Sequence, residues 1–173
     1  MKEENLKNAA LLRMSKRKMT LKKVLLSKID IKAGEMSFSQ RIELGKIFSG
    51  KDHELLKFEK TFVCLHNYQP KLTDYQKLVP YFEKIIEGLK HWSTTESIML
   101  KYAPTPEEKQ AGIMDLSKKI GELGTAKAIA KTYGMDPDDV LAWSYAKAFG
   151  ILYTDLEESK FNRRYQKVIS KKK

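Results

Sequence analysis

The chain has 173 residues, and its hydrophobic fraction of 42% is enough for one sizeable core and too high for a wholly disordered chain. Its single cysteine, Cys64, excludes an intrachain disulfide, and the longest run without a charged residue, 61–70, is far shorter than the roughly 20 residues of a membrane span. We therefore expect a soluble cytoplasmic protein that has no membrane partner.

The net charge of +11 is concentrated at the two ends of the chain. Residues 1–28 contain nine Lys or Arg and two Glu, and residues 161–173 contain six Lys or Arg and no acid. The intervening residues carry two more acids than bases. This distribution predicts basic tails on a nearly neutral body, rather than a basic face on the body itself.

Residues 1–36 are predicted to form a basic N-terminal arm. The first eighteen residues have a weak apolar side that is compatible with a short helix. Ile29 and Ile31 alternate with charged residues, which predicts one short strand or an extended segment. A single strand is not stable alone, so a strand here would have to pair with a second copy of the chain.

Residues 37–168 are predicted to form one all-α domain of about five to seven helices, followed by a basic tail at 169–173. Helix starts are indicated at three places, two by a capping box and one by a single capping residue. In chain order these are Ser37 with Gln40, Asp52, and Thr73 with Gln76. Gly50 and Pro70 end the first two helices, and Pro80 either kinks the third or begins another.

The second half of the domain begins with the strongest helix start in the chain. Thr105 is an N-cap residue, followed by proline and two acids. Behind it, apolar residues at three- and four-residue spacing predict a core-facing stripe: Ile113, Leu116, Ile120 and Leu123. Gly124 is predicted to break this helix, Thr125 to cap the next, and Gly134 to end it. Asp136 is then predicted to start another helix, and the apolar residues from Trp143 to Val168 are predicted to lie on a continuous helix.

The segment 124–143 has the spacing of a helix-turn-helix. Ala130 is small where the helices cross, Gly134 lies in the turn, and Val140 and Trp143 are apolar on the second helix. That helix, however, opens with acids at 136, 138 and 139, which would repel phosphates. A plain αα-hairpin with no base contacts explains the same spacing.

Contact with nucleic acid is more plausible through the basic ends than through this hairpin, because phosphate binding needs only accessible positive charge. Terminal lysines also serve solubility alone, so this alternative stays open. The candidate residues are Arg13, Lys16, Arg17, Lys18, Lys22, Lys23, Arg163, Arg164 and Lys167.

No cluster of residues indicates catalysis. Cys64 and His66 resemble half of a metal site, but positions two apart do not face each other on a helix, and no second pair completes the site. The sequence has no glycine-rich phosphate loop and no nucleophile elbow. We expect a protein without enzymatic activity, cofactor or metal.

An aromatic stripe near the C-terminus is the better functional candidate. Aromatic residues and arginine are enriched at protein interfaces, and this stripe extends beyond one core's length and shifts by one position between Leu156 and Phe161. Its residues either contact a partner or pack in the core. The partner-binding candidates are Trp143, Tyr145, Phe149, Leu152, Tyr153, Phe161 and Tyr165.

One block of the sequence resembles the small helical tail assembly chaperones of tailed bacteriophages. It reads Gly134-x-x-Pro137-x-x-Val140-x-x-Trp143-x-Tyr145-x-x-x-Phe149, and residues 40–47 are loosely similar to the early helix of that family. The resemblance implies a non-enzymatic factor of virion morphogenesis in the host cytoplasm, which binds a helical tape measure protein. It also implies that Trp143, Tyr145 and Phe149 occupy the family's aromatic positions. Self-association is expected as well.

Overall fold

The computed structural model describes residues 19–170, without the side chains of residues 116–119 and 122. The short helix predicted within the first eighteen residues, and the last three residues of the basic tail, lie outside this range.

The predicted all-α class is confirmed. The described residues form eight α-helices and a short 3₁₀ turn at Leu72–Asp74, and they contain no β-strand. The helices are α1 Leu21–Leu26, α2 Phe38–Ser49, α3 Glu54–His66, α4 Tyr75–Met99, α5 Pro106–Gln110, α6 Ile113–Tyr133, α7 Pro137–Ala142 and α8 Tyr145–Ser170.

The strand predicted around Ile29 and Ile31 is wrong. Residues 31–34 form a turn that is closed by a hydrogen bond from the Gly34 amide to the Ile31 carbonyl. That same carbonyl accepts a 2.7 Å hydrogen bond from Nε1 of Trp92, so the turn is fixed against α4. Ile31 is apolar because its side chain is buried in the core. The alternation with charged residues therefore does not reflect a strand.

Extended backbone occurs instead just before α2, where it pairs with the start of α8. The Phe38 amide donates a hydrogen bond to the Trp143 carbonyl, and the Tyr145 amide donates one to the Met36 carbonyl. Between them, Ser37 and Ser144 form an isolated antiparallel bridge. Trp143 accordingly adopts an extended conformation and ends α7. The prediction that Trp143 lies in one continuous helix with Tyr145 to Val168 is therefore wrong, because the backbone at 143–144 pairs across the chain.

Three predicted helix starts are confirmed, two are displaced, and the start predicted at Thr125 is wrong, because Thr125 lies inside α6. Oγ of Ser37 accepts the Gln40 amide, Thr105 and Glu108 form a capping box, and Asp136 accepts the Asp138 amide. The cap of α3 is His53 and not Asp52, whose carboxylate pairs with Lys60 at 2.6 Å. Thr73 is not a cap either; the short 3₁₀ turn ends at Asp74, which accepts the Lys71 amide.

Within the long helices, Pro80 begins no new helix, and the break predicted at Gly124 lies at a different glycine. Pro80 lies inside α4, which continues through it to Met99. The irregular residue of α6 is Gly121, with φ 54° and ψ −153°, rather than Gly124. Gly134 ends α6 in the left-handed conformation, as its position in the turn predicts.

The hydrophobic core begins before residue 37. Val24, Ile31 and Met36 are all buried, so the described part of the predicted arm packs with the helical body. The other large, fully buried side chains come from α2, α3, α4, α6 and α7, and they are Leu44, Phe62, Leu78, Ile85, Ile129 and Val140. Toward the beginning of α6 the predicted core stripe fails, because Ile120 and Leu123 are exposed.

Candidate protein-binding face

The first half of α8 belongs to the core. Tyr145 and Phe149 are buried, and both rings pack edge-on against Trp92, with centroid distances of 4.9 and 5.1 Å. Two of the predicted partner-binding residues are therefore inaccessible in this fold. The aromatic pattern that the resemblance emphasised has a structural role at these two positions.

A polar network fixes the position of Tyr145. Its hydroxyl donates a 2.6 Å hydrogen bond to Oε1 of Glu96, and the Glu96 carboxylate accepts two more from Arg41, at 3.0 and 2.8 Å. Burial, followed by the nearby Glu96 carboxylate, raises the pKa of the Tyr145 hydroxyl well above its ordinary value. The network joins α2, α4 and α8 and holds the start of α8 in place.

The middle of the predicted stripe is partly accessible. Trp143 is half-buried, with Tyr133 on one side and Nζ of Lys147 3.7 Å from its ring centroid. Leu152 packs against the core, whereas the Tyr153 side chain is 36% exposed. These residues line the transition between the core half and the exposed half of α8.

The second half of α8 carries a separate apolar face. Four of its hydrophobic side chains are exposed: Phe161 by 58%, Tyr165 by 52%, Val168 by 54% and Ile169 by 38%. We call these four residues the outer stripe. The rings of Phe161 and Tyr165 are nearly parallel, with centroids 6.1 Å apart, and form one surface.

The outer stripe points away from the core. Phe149 and Tyr165 lie sixteen residues apart, which at about 100° per residue places them about 160° apart around the helix axis. The same offset separates Tyr145 from Phe161. The shift in the pattern between Leu156 and Phe161 is thus a change of face, and the outer stripe is not a continuation of the core.

Arg163 marks the side of α8 that faces the body. Its guanidinium donates hydrogen bonds to the Tyr102 hydroxyl at 2.6 Å and to Glu108 at 2.8 Å, and it also lies over the Tyr102 ring. The Tyr102 hydrogen bond is the main cause that raises the pKa of Arg163. Arg163 is thus occupied within the chain and poorly placed to contact phosphates.

The side of α8 that faces α6 is polar over the same length. An open groove of about 630 Å³ lies there and is lined by polar side chains that include Thr132, Asp155, Ser159, Asn162 and Gln166. The last turns of α8 are therefore polar toward the body and apolar toward solvent. This is the reverse of the arrangement expected for a surface helix.

The candidates for nucleic-acid contact lie on two different helices where the structure describes them. Arg13, Lys16, Arg17 and Lys18 lie outside the described residues. Lys22 and Lys23 are exposed on α1, and Arg164 and Lys167 are exposed on α8. Within the helix-turn-helix segment, α7 is only six residues long, its first turn carries Asp138 and Asp139, and Val140 and Leu141 are buried. This geometry does not favour base contacts through α7.

Cys64 and His66 lie on α3 with different partners. Burial raises the pKa of the Cys64 thiol to about 12, and its Sγ–H points to the Gln40 carbonyl. His66 is buried against Tyr81, and burial lowers its pKa to about 4. Among the described residues, no group of three or more His, Cys, Asp or Glu is arranged to hold a metal ion.

Sequence reasoning missed the separation of the two faces of α8 and the role of Arg163. The first had a signal, because a helical wheel places Tyr145 and Phe161 on opposite sides. The second had none, since Tyr102 and Glu108 are more than fifty residues away.

No protein-family model, curated protein or solved structure matches this chain. Across residues 19–170, no helix is both long and apolar enough to span a membrane.

Proposed function

We propose that this protein is a non-enzymatic binding factor that acts in the assembly of other proteins, and that the outer stripe of α8 is its binding face. The observation that carries this proposal is the orientation of the stripe. Four apolar side chains face solvent on a helix whose opposite side is anchored to the body. Contiguous exposed apolar surface of this kind is typical of interaction sites.

The anchoring of α8 supports a preformed binding face. Tyr145 fixes the start of the helix through Glu96, and Arg163 fixes its far end through Glu108. A helix that is held at both ends loses little conformational entropy when it binds. Amphipathic helices that pack on a partner through residues three and four positions apart are a common mode of protein recognition.

Within this class, a tail assembly chaperone of a tailed bacteriophage is the specific role that we favour. Its support is the sequence block from Gly134 to Phe149, together with a helical fold and a stripe suited to a helical client such as a tape measure protein. Of the family's aromatic positions, only Trp143 is accessible in part. The client is therefore expected to contact the outer stripe rather than Tyr145 or Phe149.

Co-expression with the gene neighbour that encodes a long helical protein, followed by affinity purification, tests this proposal. The wild-type chain should retain the neighbour, and the double variant Phe161→Gln/Tyr165→Gln should lose it. Leu72→Gln is the matched control, because Leu72 is 85% exposed and lies outside α8. Retention of the neighbour by the double variant, or its absence with the wild type, would contradict the proposal.

Nucleic-acid binding through the basic ends is the second candidate, favoured by the charges of residues 1–28 and 161–173. Such binding should be insensitive to sequence and weaken steeply with salt, because each neutralised phosphate releases counterions. Changing the exposed Lys22, Lys23, Arg164 and Lys167 to glutamine should weaken it while Val24 and Arg163 keep their packing. A variant that still selects a specific duplex at physiological salt would instead favour the helix-turn-helix.

A further inference from the structure

We infer that Gly121 and Gly124 form a hinge in α6, whose kinked conformation holds the end of α8 through Glu108 and whose straight conformation releases it. The part that moves is residues 106–120, which we call the hinged segment. This inference goes beyond the proposed function and does not depend on it, because it concerns how α8 is held and not what α8 binds.

The backbone of Gly121 makes the kink. Its φ of 54° and ψ of −153° each differ by more than about 100° from the helical values of about −63° and −42°. This combination of angles is essentially restricted to glycine. A Cβ at this position would meet no atom within 4 Å. The requirement for glycine at 121 therefore comes from the backbone conformation and not from crowding.

Gly124 is required for a different reason. A Cβ there would lie 1.5 Å from Cγ2 and 2.8 Å from Cβ of Ile120. In a straight helix, the Cβ atoms of residues four positions apart are separated by about 5–6 Å. The kink therefore folds Ile120 back over Gly124 into space that any other side chain would occupy. Both requirements for glycine disappear when α6 is straight.

The hinged segment is attached to the body by few contacts. None of the described side chains between 106 and 123 is buried. Among the side chains that the structure describes, Arg163 makes every side-chain hydrogen bond that joins residues 101–123 to another helix. Segments with so few buried contacts move at a low cost in free energy. The second half of α6, in contrast, is fixed in the core by Ala126, Ile129 and Ala130.

The position of the hinged segment is coupled to the end of α8. A rotation at Gly121 redirects all of the residues before it, and Glu108 lies thirteen positions before it. The ion pair between Glu108 and Arg163 has a length of 2.8 Å and cannot persist through such a movement. Straightening α6 therefore frees the end of α8. The converse also holds, because coupling between two equilibria is reciprocal: removing the ion pair favours the straight helix.

Double electron–electron resonance on the full chain measures the kink. Spin labels are attached to cysteines that replace Met114 and Lys131, which are both exposed, and Cys64 is changed to alanine. The labelled positions are seventeen residues apart, which corresponds to about 26 Å in a straight helix. The otherwise unchanged chain should give a shorter main distance, because the kink folds residue 120 back over residue 124.

Alanine at either hinge glycine should straighten α6. Gly121→Ala and Gly124→Ala should each move the main distance to about 26 Å. Gly150→Ala is the matched control, because it adds the same methyl group to a helical glycine in open space on α8. It should leave the distance unchanged. Arg163→Ala should move part of the population to the longer distance, whereas Arg164→Ala should not.

Hydrogen exchange measured by mass spectrometry tests the coupling to α8. Gly121→Ala should speed the exchange of amides in residues 159–170 by at least about threefold, because the ion pair is lost when α6 straightens. In a chain that already carries Arg163→Ala, the same substitution should add less than about 1.5-fold, since both changes act through one contact. Gly150→Ala should not speed this exchange.

Four results would overturn the inference. The first is a main distance near 26 Å in the chain that keeps both hinge glycines. The second is an unchanged distance in both alanine variants, and the third is a broad distribution without a peak near 26 Å, which would indicate unfolding of the segment. The fourth is a straightened α6 with unchanged exchange at 159–170, or with an effect that adds fully to that of Arg163→Ala.

Discussion

Nη2 of Arg163 lies 2.8 Å from Oε1 of Glu108, and this ion pair joins the far end of α8 to the first turn of α5. Glu108 also accepts the Thr105 amide in the capping box of α5, and backbone hydrogen bonding is the main cause of its lowered pKa. The Glu108 carboxylate therefore caps the start of α5 and also anchors α8. The outer stripe faces solvent because Arg163 occupies the opposite side.

Arg163→Ala should loosen the end of α8. Without the hydrogen bonds to Glu108 and Tyr102, amides of residues 159–170 and of α5 should exchange hydrogen faster, while those in α3 and α4 stay protected. Arg164→Ala removes the same charge from the exposed side and should leave exchange unchanged. Equal exchange in the two variants, measured by mass spectrometry, would contradict the assigned role of Arg163.

Tyr145→Phe should destabilise the fold by about 1.5–3 kcal/mol, because it removes a buried hydrogen bond to a charged group. The ring remains, so its contacts with Trp92 and Phe149 are kept. Tyr153→Phe is the matched control on the same helix at a more exposed position, and it should change stability by less than about 0.5 kcal/mol. Urea denaturation measures both values, and similar effects of the two substitutions would argue against the Glu96 network.

Stability should fall as the pH is lowered from about 6.5, the ordinary value of histidine, toward 4. The Tyr81 hydroxyl accepts the Ile29 amide and forms a 2.8 Å hydrogen bond with Nε2 of His66 in a buried site. Burial lowers the pKa of His66 to about 4, so the unfolded chain binds the proton first. The loss across this interval is roughly 3 kcal/mol, the free-energy equivalent of that pKa difference.

His66→Gln should flatten this dependence between pH 5 and 6.5. Glutamine can accept the Tyr81 hydroxyl proton but does not titrate. Denaturant midpoints of the wild type and the variant, measured across that interval, test the assignment. A wild-type slope that persists in the variant would contradict it.

Alanine should have opposite effects at two helical glycines. A Cβ at Gly88 would lie 2.8 Å from both Cβ and Cγ2 of Ile31, where α4 passes close to the 31–34 turn. We expect Gly88→Ala to destabilise by about 1–3 kcal/mol, because the core would be overpacked. Gly150 is in α8 with open space around it, and alanine there should stabilise by about 0.5–1 kcal/mol through helix propensity. Thermal denaturation should show a lower melting temperature for Gly88→Ala and a higher one for Gly150→Ala. Equal shifts in melting temperature would contradict the close approach of Gly88 to Ile31.

The sequence predicts the helices well where their determinants are local. Ser37, Thr105 and Asp136 cap the helices that they were expected to cap, and Gly134 ends α6. These signals depend on residues within one turn of one another. The all-α class follows from them.

The missed features depend on contacts between distant segments. The break at Trp143 arises because the backbone at 143–145 hydrogen-bonds to residues 36–38, more than one hundred positions earlier. Ile31 lies in a turn because its carbonyl accepts from Trp92. For the candidate site, residue type marked Phe161 and Tyr165 as candidates but could not separate these exposed residues from the buried Tyr145 and Phe149.

The central claim is that the outer stripe contacts another protein. The direct measurement is site-specific photocrosslinking in cells that express the chain with its gene neighbours, with a photoreactive phenylalanine at 161 or at 72. Both positions are well exposed, at 58% and 85%, but only Phe161 belongs to the stripe. We predict a defined adduct with a second protein from position 161 and none from position 72. The same adduct from both positions, or none from position 161, would contradict the account.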